Sequence, residues 1–113
     1  MVGGMLNHQP PHTVYEKGRL RIDFDACEIS VDGRPVHFRR REFQLLRFFV
    51  EWANRVIDRT QIIAQVWPRT PVKAQTVDVH VCRLRRYLER DPVHPEVLVT
   101  VRGMGWKFNE RAL

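Results

Sequence analysis

Apolar and polar residues alternate from Leu20 onward: Leu20, Ile22 and Phe24 against Arg21 and Asp23, then Cys27, Ile29 and Val31 against Glu28 and Ser30. A period of two is that of a half-buried strand, so the pattern predicts two short strands with Cys27 on the core side. Asp32-Gly33 supplies the two positive-φ positions of a type I′ hairpin turn, and Val36 and Phe38 read as a short return strand. Pro35 can begin that strand but cannot sit in mid-sheet. Residues 1–17, with Gly3, Gly4, Pro10 and Pro11, have no apolar period and read as a flexible arm or linker, with order beginning near Arg19.

The period then lengthens. Phe43, Leu46 and Val50 fall at i, i+3 and i+7, and Leu45, Phe48, Phe49 and Trp52 widen the stripe, predicting a buried helix over 40–52 with Trp52 in the core. Asp58 with Gln61 three residues on is a capping-box start for a short helix carrying Ile62, Ile63, Val66 and Trp67, which Pro68 stops. A third helix is expected over 74–89, ended by Asp91-Pro92 and Pro95. Val97, Val99 and Val101 alternate, Arg102 to Gly105 turn, and Trp106 and Phe108 return, which reads as a C-terminal hairpin. The class is therefore α+β, with an N-terminal antiparallel sheet, three helices and a terminal hairpin. One domain is expected over 18–110, with 111–113 as a tail.

Composition changes this picture in one respect. The chain has 113 residues and carries 19 Lys+Arg against 13 Asp+Glu, net +6, and 16 of the cations are Arg. The guanidinium fork matches phosphate oxygens and the guanine edge, so a nucleic acid becomes the leading partner. The charge is uneven: residues 19–38 sum to −1, whereas 39–113 hold fifteen cations and eight acids, +7. No uninterrupted apolar stretch reaches membrane-spanning length, the N-terminus has no secretory pattern, and two cysteines are too few for a disulfide scaffold. A cytoplasmic protein without a membrane partner is expected.

On a helical wheel of the third helix, Val77, Val81, Leu84 and Leu88 share the core side. The opposite side holds Gln75, Val79, Cys82, Arg83, Arg86 and Arg90. A solvated surface helix usually interleaves acids at i+4; this stripe has none, and it exposes a valine. A small apolar side chain beside Arg and Gln suits a major groove, where thymine offers a methyl and purines offer bidentate edges.

The run Thr76-Val77-Asp78-Val79-His80-Val81-Cys82-Arg83-Leu84-Arg85 resembles the recognition-helix motif of the OmpR/PhoB-type winged helix-turn-helix, the effector domain of two-component response regulators. Thr100-Val101-Arg102-Gly103-Met104-Gly105-Trp106 is similar to that family's wing, and Glu42 to Leu46 and Asp58 to Trp67 match its first two helices. The resemblance covers about residues 19–109. It implies sequence-specific binding of double-stranded DNA for transcription regulation, the third helix in the major groove and the wing, about 97–108, at the minor groove, with a tandem dimer on direct-repeat operators. By this resemblance Arg83, Val79, Asp78 and Cys82 would meet bases. Arg59, Trp67, Gln75, Thr76, His80, Arg85, Arg86, Thr100 and Trp106 would meet backbone, and Arg102 would enter the minor groove. The loop Pro68, Arg69, Thr70, Pro71, Val72 and Lys73 stands where the family contacts RNA polymerase, and a receiver domain would lie in cis in a longer chain. The sequence departs from the family at Cys82 and Gln75, and at Arg39, which replaces the usual Thr/Ser cap at a cost of about 1 kcal/mol.

Other constellations weigh less. His80 and Cys82 are badly placed to share a metal, His37 and His94 stand alone, and no nucleophile has an evident base, so neither an enzyme nor a cofactor is expected. The alternative is a winged helix that meets a protein partner such as RNA polymerase without specific DNA binding of its own. RNA binding ranks third, because an A-form major groove does not admit a helix and the chain lacks a stacking platform.

Overall fold

Four short strands follow one another at the start of the computed structural model, which describes residues 13–113. They are β1 (Val14–Lys17), β2 (Leu20–Asp23), β3 (Glu28–Val31) and β4 (Arg34–Pro35), an antiparallel sheet in the order β1-β2-β3-β4. Leu20, Ile22, Ile29 and Val31 line its buried face, as the alternation predicts. Asp32 and Gly33 both take positive φ, 54° and 75°, the geometry of a type I′ turn. Pro35 sits on the edge strand opposite Ser30, where its missing N–H costs nothing.

Three expectations change in this region. Val14–Lys17 is a strand paired in register with β2, not an arm; it lies at the sheet edge and is mostly exposed, so it needs no apolar period to be held by its ladder. The first twelve residues of the expected arm lie outside the described residues. Cys27 is not core: it is exposed at φ 55° in the turn joining β2 to β3, which breaks the alternation one residue before Glu28. The return strand ends at Pro35, so Val36 and Phe38 lie beyond it, although the Val36 N–H still donates to the Ile29 carbonyl at 2.9 Å.

The chain divides into two compact units at Val36/His37, where one domain over 18–110 is expected from sequence. The second unit, His37–Leu113, holds α1 (Arg40–Glu51), β5 (Val56–Ile57), α2 (Arg59–Val66), α3 (Ala74–Leu88), β6 (Leu98–Val101), β7 (Gly105–Phe108) and a 3-10 turn (Glu110–Ala112). Its core is built on Leu45, Phe49, Ile62, Val77, Leu84 and Phe108, all fully buried, and α1 packs on α2, α3 and β7. Trp52 departs from the core expectation. It is the C-cap residue of α1 and 38% exposed, tilted against Phe48 with the Arg55 guanidinium 5.5 Å from its ring centre. α2 starts on the predicted box: Asp58 accepts from the Gln61 N–H at 2.8 Å, and the Gln61 side chain accepts from the Asp58 N–H at 2.9 Å. Among the described residues no helix is long and apolar enough to cross a membrane.

The C-terminal hairpin gains a third strand that the sequence pattern does not signal, giving the order β5-β7-β6. Two residues, Val56 and Ile57, are too short to show a period, yet they pair with Lys107 and Trp106. This close approach explains Gly105. At φ +140°, a Cβ on Gly105 would fall on the Ile57 carbonyl oxygen and within 2.8 Å of its carbonyl carbon. Both atoms are backbone and paired, so neither can yield cheaply. Gly105→Ala is therefore expected to destabilise the chain by about 3 kcal/mol or more through strain and forced strand separation. Urea denaturation checks this, and a loss within about 0.5 kcal/mol would show that β5 yields freely.

Candidate nucleic-acid interface

The side of α3 away from the core is a continuous exposed surface. Val77, Val81, Leu84 and Leu88 are buried, as the wheel predicts, while Gln75, Val79, Cys82, Arg86 and Arg90 are exposed. Val79 is 46% exposed on the outward side of the helix. Arg83 is half-buried, its Nη1 3.9 Å from a Glu42 carboxylate oxygen; Glu42 is itself buried on α1. The nearby Tyr87 hydroxyl is also buried and has no hydrogen-bond partner among the described residues. Burial, reinforced by the Glu42 charge, pushes the Tyr87 pKa far up, so the phenol stays neutral.

Several residues that sequence reasoning places toward a phosphate backbone also make contacts within the fold. Arg85 donates from Nε and Nη2 to the Leu98 carbonyl at 2.9 and 2.7 Å, and from Nη2 to the Thr100 hydroxyl at 3.0 Å. It fastens α3 to β6 instead of projecting into solvent, and Thr100, though exposed, is engaged by the same guanidinium. Arg59 pairs with Asp78 at 2.6 Å and lies 5.0 Å over the Trp106 ring, so one cation joins α2, α3 and β7. Asp78 is engaged by that contact. Trp106 and Trp67 are both buried, at 6% and 5% exposure, and act as packing residues here. The Trp67 ring meets His80 edge-on with centroids 5.0 Å apart. The His80 Nδ1 lies 2.7 Å from the Thr76 carbonyl, and since a carbonyl only accepts, this contact places the ring proton on Nδ1.

The sequence reading missed Glu89, although an acid four residues after Arg85 was its available signal. It caps α3 and is buried, and its carboxylate accepts from the Glu96 N–H at 2.7 Å, the Val97 N–H at 3.0 and 3.1 Å, and the Leu98 N–H at 2.7 Å. Leu98 is thus held on both sides of its residue: Glu89 takes its N–H and Arg85 its carbonyl. The hairpin tip stands free of such ties, with Arg102 and Met104 exposed and Gly103 at φ 77° in the turn. In the loop before α3, Pro68, Arg69, Thr70, Pro71 and Lys73 are exposed and Val72 is half-buried. The surface sums to exposed cations and small groups along α3 and at the tip, on a scaffold locked by Arg59, Arg85 and Glu89.

Comparison with known proteins places this arrangement. Residues 33–108 match the family model described as transcriptional regulatory protein, C terminal. The sensory transduction protein RegX3 of Mycolicibacterium smegmatis is 43% identical over 96 residues, covering 84% of this chain and 42% of the relative. Among solved structures, the response regulator DrrB, a Thermotoga maritima OmpR/PhoB homolog, aligns with a TM-score of 0.79 at 31% identity, over 85% of this chain and 44% of that one. The Klebsiella pneumoniae RstA DNA-binding domain, solved in complex with the RstA box, aligns at 0.77 and 25% identity, over 88% of this chain and 99% of that one. The chain spans about half the length of the curated relatives it matches, 42 to 54% for the first two.

The ties to Leu98 generate a measurable expectation. Arg85→Ala removes charge-assisted bonds from a buried carbonyl and should lower unfolding free energy by about 2 kcal/mol. Glu89→Gln, which points an amide at three N–H groups, should cost about as much. Urea denaturation reads both; an Arg85→Ala loss within about 0.5 kcal/mol is what a freely solvated arginine would give.

Proposed function

The chain belongs to the OmpR/PhoB-type family of transcriptional regulatory protein C-terminal domains, and from that membership we propose that it binds double-stranded DNA with sequence selectivity as the effector part of a two-component response regulator. The observation that carries this reading is the exposed face of α3, where Gln75, Val79, Cys82 and Arg86 share one side without an acid among them. A B-form major groove accepts such a helix. Val79 and Cys82 meet thymine methyls or other base edges, and Arg83, released from its long contact with Glu42, reaches a guanine edge. Gln75 and Arg86 meet phosphates at the groove walls, and Arg102 enters the adjoining minor groove. Arg59, Arg85, Thr100 and Trp106 serve this reading chiefly by holding helix and wing in place. Thr76 and His80 present their flank to the backbone, and Asp78 adjoins the bases while tied to Arg59.

Binding proceeds mainly through neutralised phosphates, so affinity falls steeply as salt rises, while discrimination rests on few side chains. A tandem pair on direct repeats, with a receiver domain in cis in the longer protein, completes the proposal. The loop 68–73, exposed apart from Val72, stands where the family meets RNA polymerase, and the proposal gives it that second contact; transcription in vitro with Arg69→Ala, at unchanged DNA affinity, reads it.

The site assignments are tested with duplexes that the chain itself selects from a random pool. Arg83→Ala is expected to lose about 1–3 kcal/mol on a selected duplex and little on a random one. Arg102→Ala is expected to weaken both. Equal loss on both duplexes for Arg83→Ala would remove it from base reading, and a wild-type chain that binds no duplex even at low salt would leave the partner-only module.

A further inference from the structure

We propose that Arg39 and Arg86 form an additional phosphodiester-binding cleft beside α3, with Arg83 at its edge, so that the start of α1 takes part in holding DNA. This rests on the DNA-binding reading above and extends its surface to an element that reading does not use. The cleft, about 360 Å³, lies within the second unit, and His37, Arg39, Glu42, Arg83, Arg86 and Tyr87 contribute to its lining. Arg39 and Arg86 against one carboxylate leave it cationic even when Arg83 turns to a base. Glu42 does not offset this fully, because one of its oxygens already accepts from the Arg39 N–H at 3.1 Å while the other faces Arg83 at 3.9 Å. Neither Arg39 nor Arg86 has an acidic partner among the described residues, and both are exposed.

The identity of residue 39 supplies an independent argument. It is the N-cap of α1, with extended backbone at φ −98° and ψ 159° and no hydrogen bond from its side chain to the helix start. Glu42 supplies one half of a capping box by accepting from the Arg39 N–H, but Ser, Thr, Asp or Asn would add the other half and Arg cannot, so the chain forgoes that bond where it places a cation. Stability gives no reason for that choice, whereas a polyanion at the cleft does. DNA is the occupant the geometry favours over an acidic protein, because two of the three arginines belong to α3 and Arg86 shares its exposed face with Val79 and Cys82. A strand flanking the groove that α3 enters therefore runs past the cleft mouth.

Arg39→Thr tests the proposal, because it moves stability and binding in opposite directions. The 113-residue chain and its variants are titrated with a labelled duplex that the wild type has selected and with a random duplex, across a salt series. Arg39→Thr is expected to bind both duplexes about fivefold to tenfold more weakly, with the salt slope reduced by about one. Its Tm should hold or rise, since threonine restores the cap. Arg39→Lys, which keeps the charge, should stay within about twofold of wild type, and Arg111→Thr, the same charge change in the C-terminal turn, likewise. Unchanged affinity and slope for Arg39→Thr would overturn the cleft while leaving the DNA reading intact. So would an equal loss for Arg39→Lys or Arg111→Thr. A wild-type chain that binds neither duplex would overturn the DNA reading and the cleft with it.

Discussion

The arrangement of this protein's surface depends on how Leu98 is held. Its N–H is taken by Glu89 and its carbonyl by Arg85, two residues one helical turn apart on α3. A peptide gripped at both polar groups by one rigid helix has little freedom to rotate or slide. β6 therefore leaves α3 at a defined angle, and β7 and the tip follow through the ladder. Arg59 adds a second tie at the other end, from Asp78 on α3 to the Trp106 ring on β7. The bonds to Leu98 are charge-assisted and meet a buried residue, so water competes with them weakly, whereas the Arg59–Asp78 pair is more open to solvent.

That constraint divides the cations into two kinds. Arg59 and Arg85 are spent on the scaffold, whereas Arg86, Arg90 and Arg102 remain exposed. Arg83 lies between, loosely associated with Glu42 and able to turn outward. A groove-reading surface needs both kinds. On the proposed reading, free cations supply affinity for a polyanion, and fixed ones hold helix and hairpin in place, so that little ordering entropy remains to be lost on binding.

Much of this was legible along the chain, for reasons that can be stated. The alternation at Leu20–Ile22 and Ile29–Val31, the Asp32-Gly33 turn, the Asp58/Gln61 box and the Val77-Val81-Leu84-Leu88 stripe are local, and each element formed where its pattern lay. The misreadings share a different cause. Cys27 fits the strand period but belongs to the turn, Trp52 fits the helical stripe but falls where the helix ends, and Val14–Lys17 and Val56–Ile57 pair with strands though neither has a period to show. Trp67 and Trp106 are buried as whole residues, at 5% and 6% exposure, which a polar tip on the indole does not foretell. Glu89 escaped notice because its three partners are backbone N–H groups seven to nine residues ahead, which no side chain advertises.

By itself, the sequence determined the order and kind of most elements, the buried side of α3 and, through two long motifs in the right order, the family. These follow from periodicity and backbone chemistry, which act over a few residues. Only the tertiary structure decided which cations stay free. Arg59 meets Asp78 across 19 positions of chain and Arg85 meets Leu98 across 13, and nothing local marks either pair. A guanidinium is equally suited to a carboxylate, a carbonyl or a phosphate, and which it faces is settled by what the fold brings within about 3 Å.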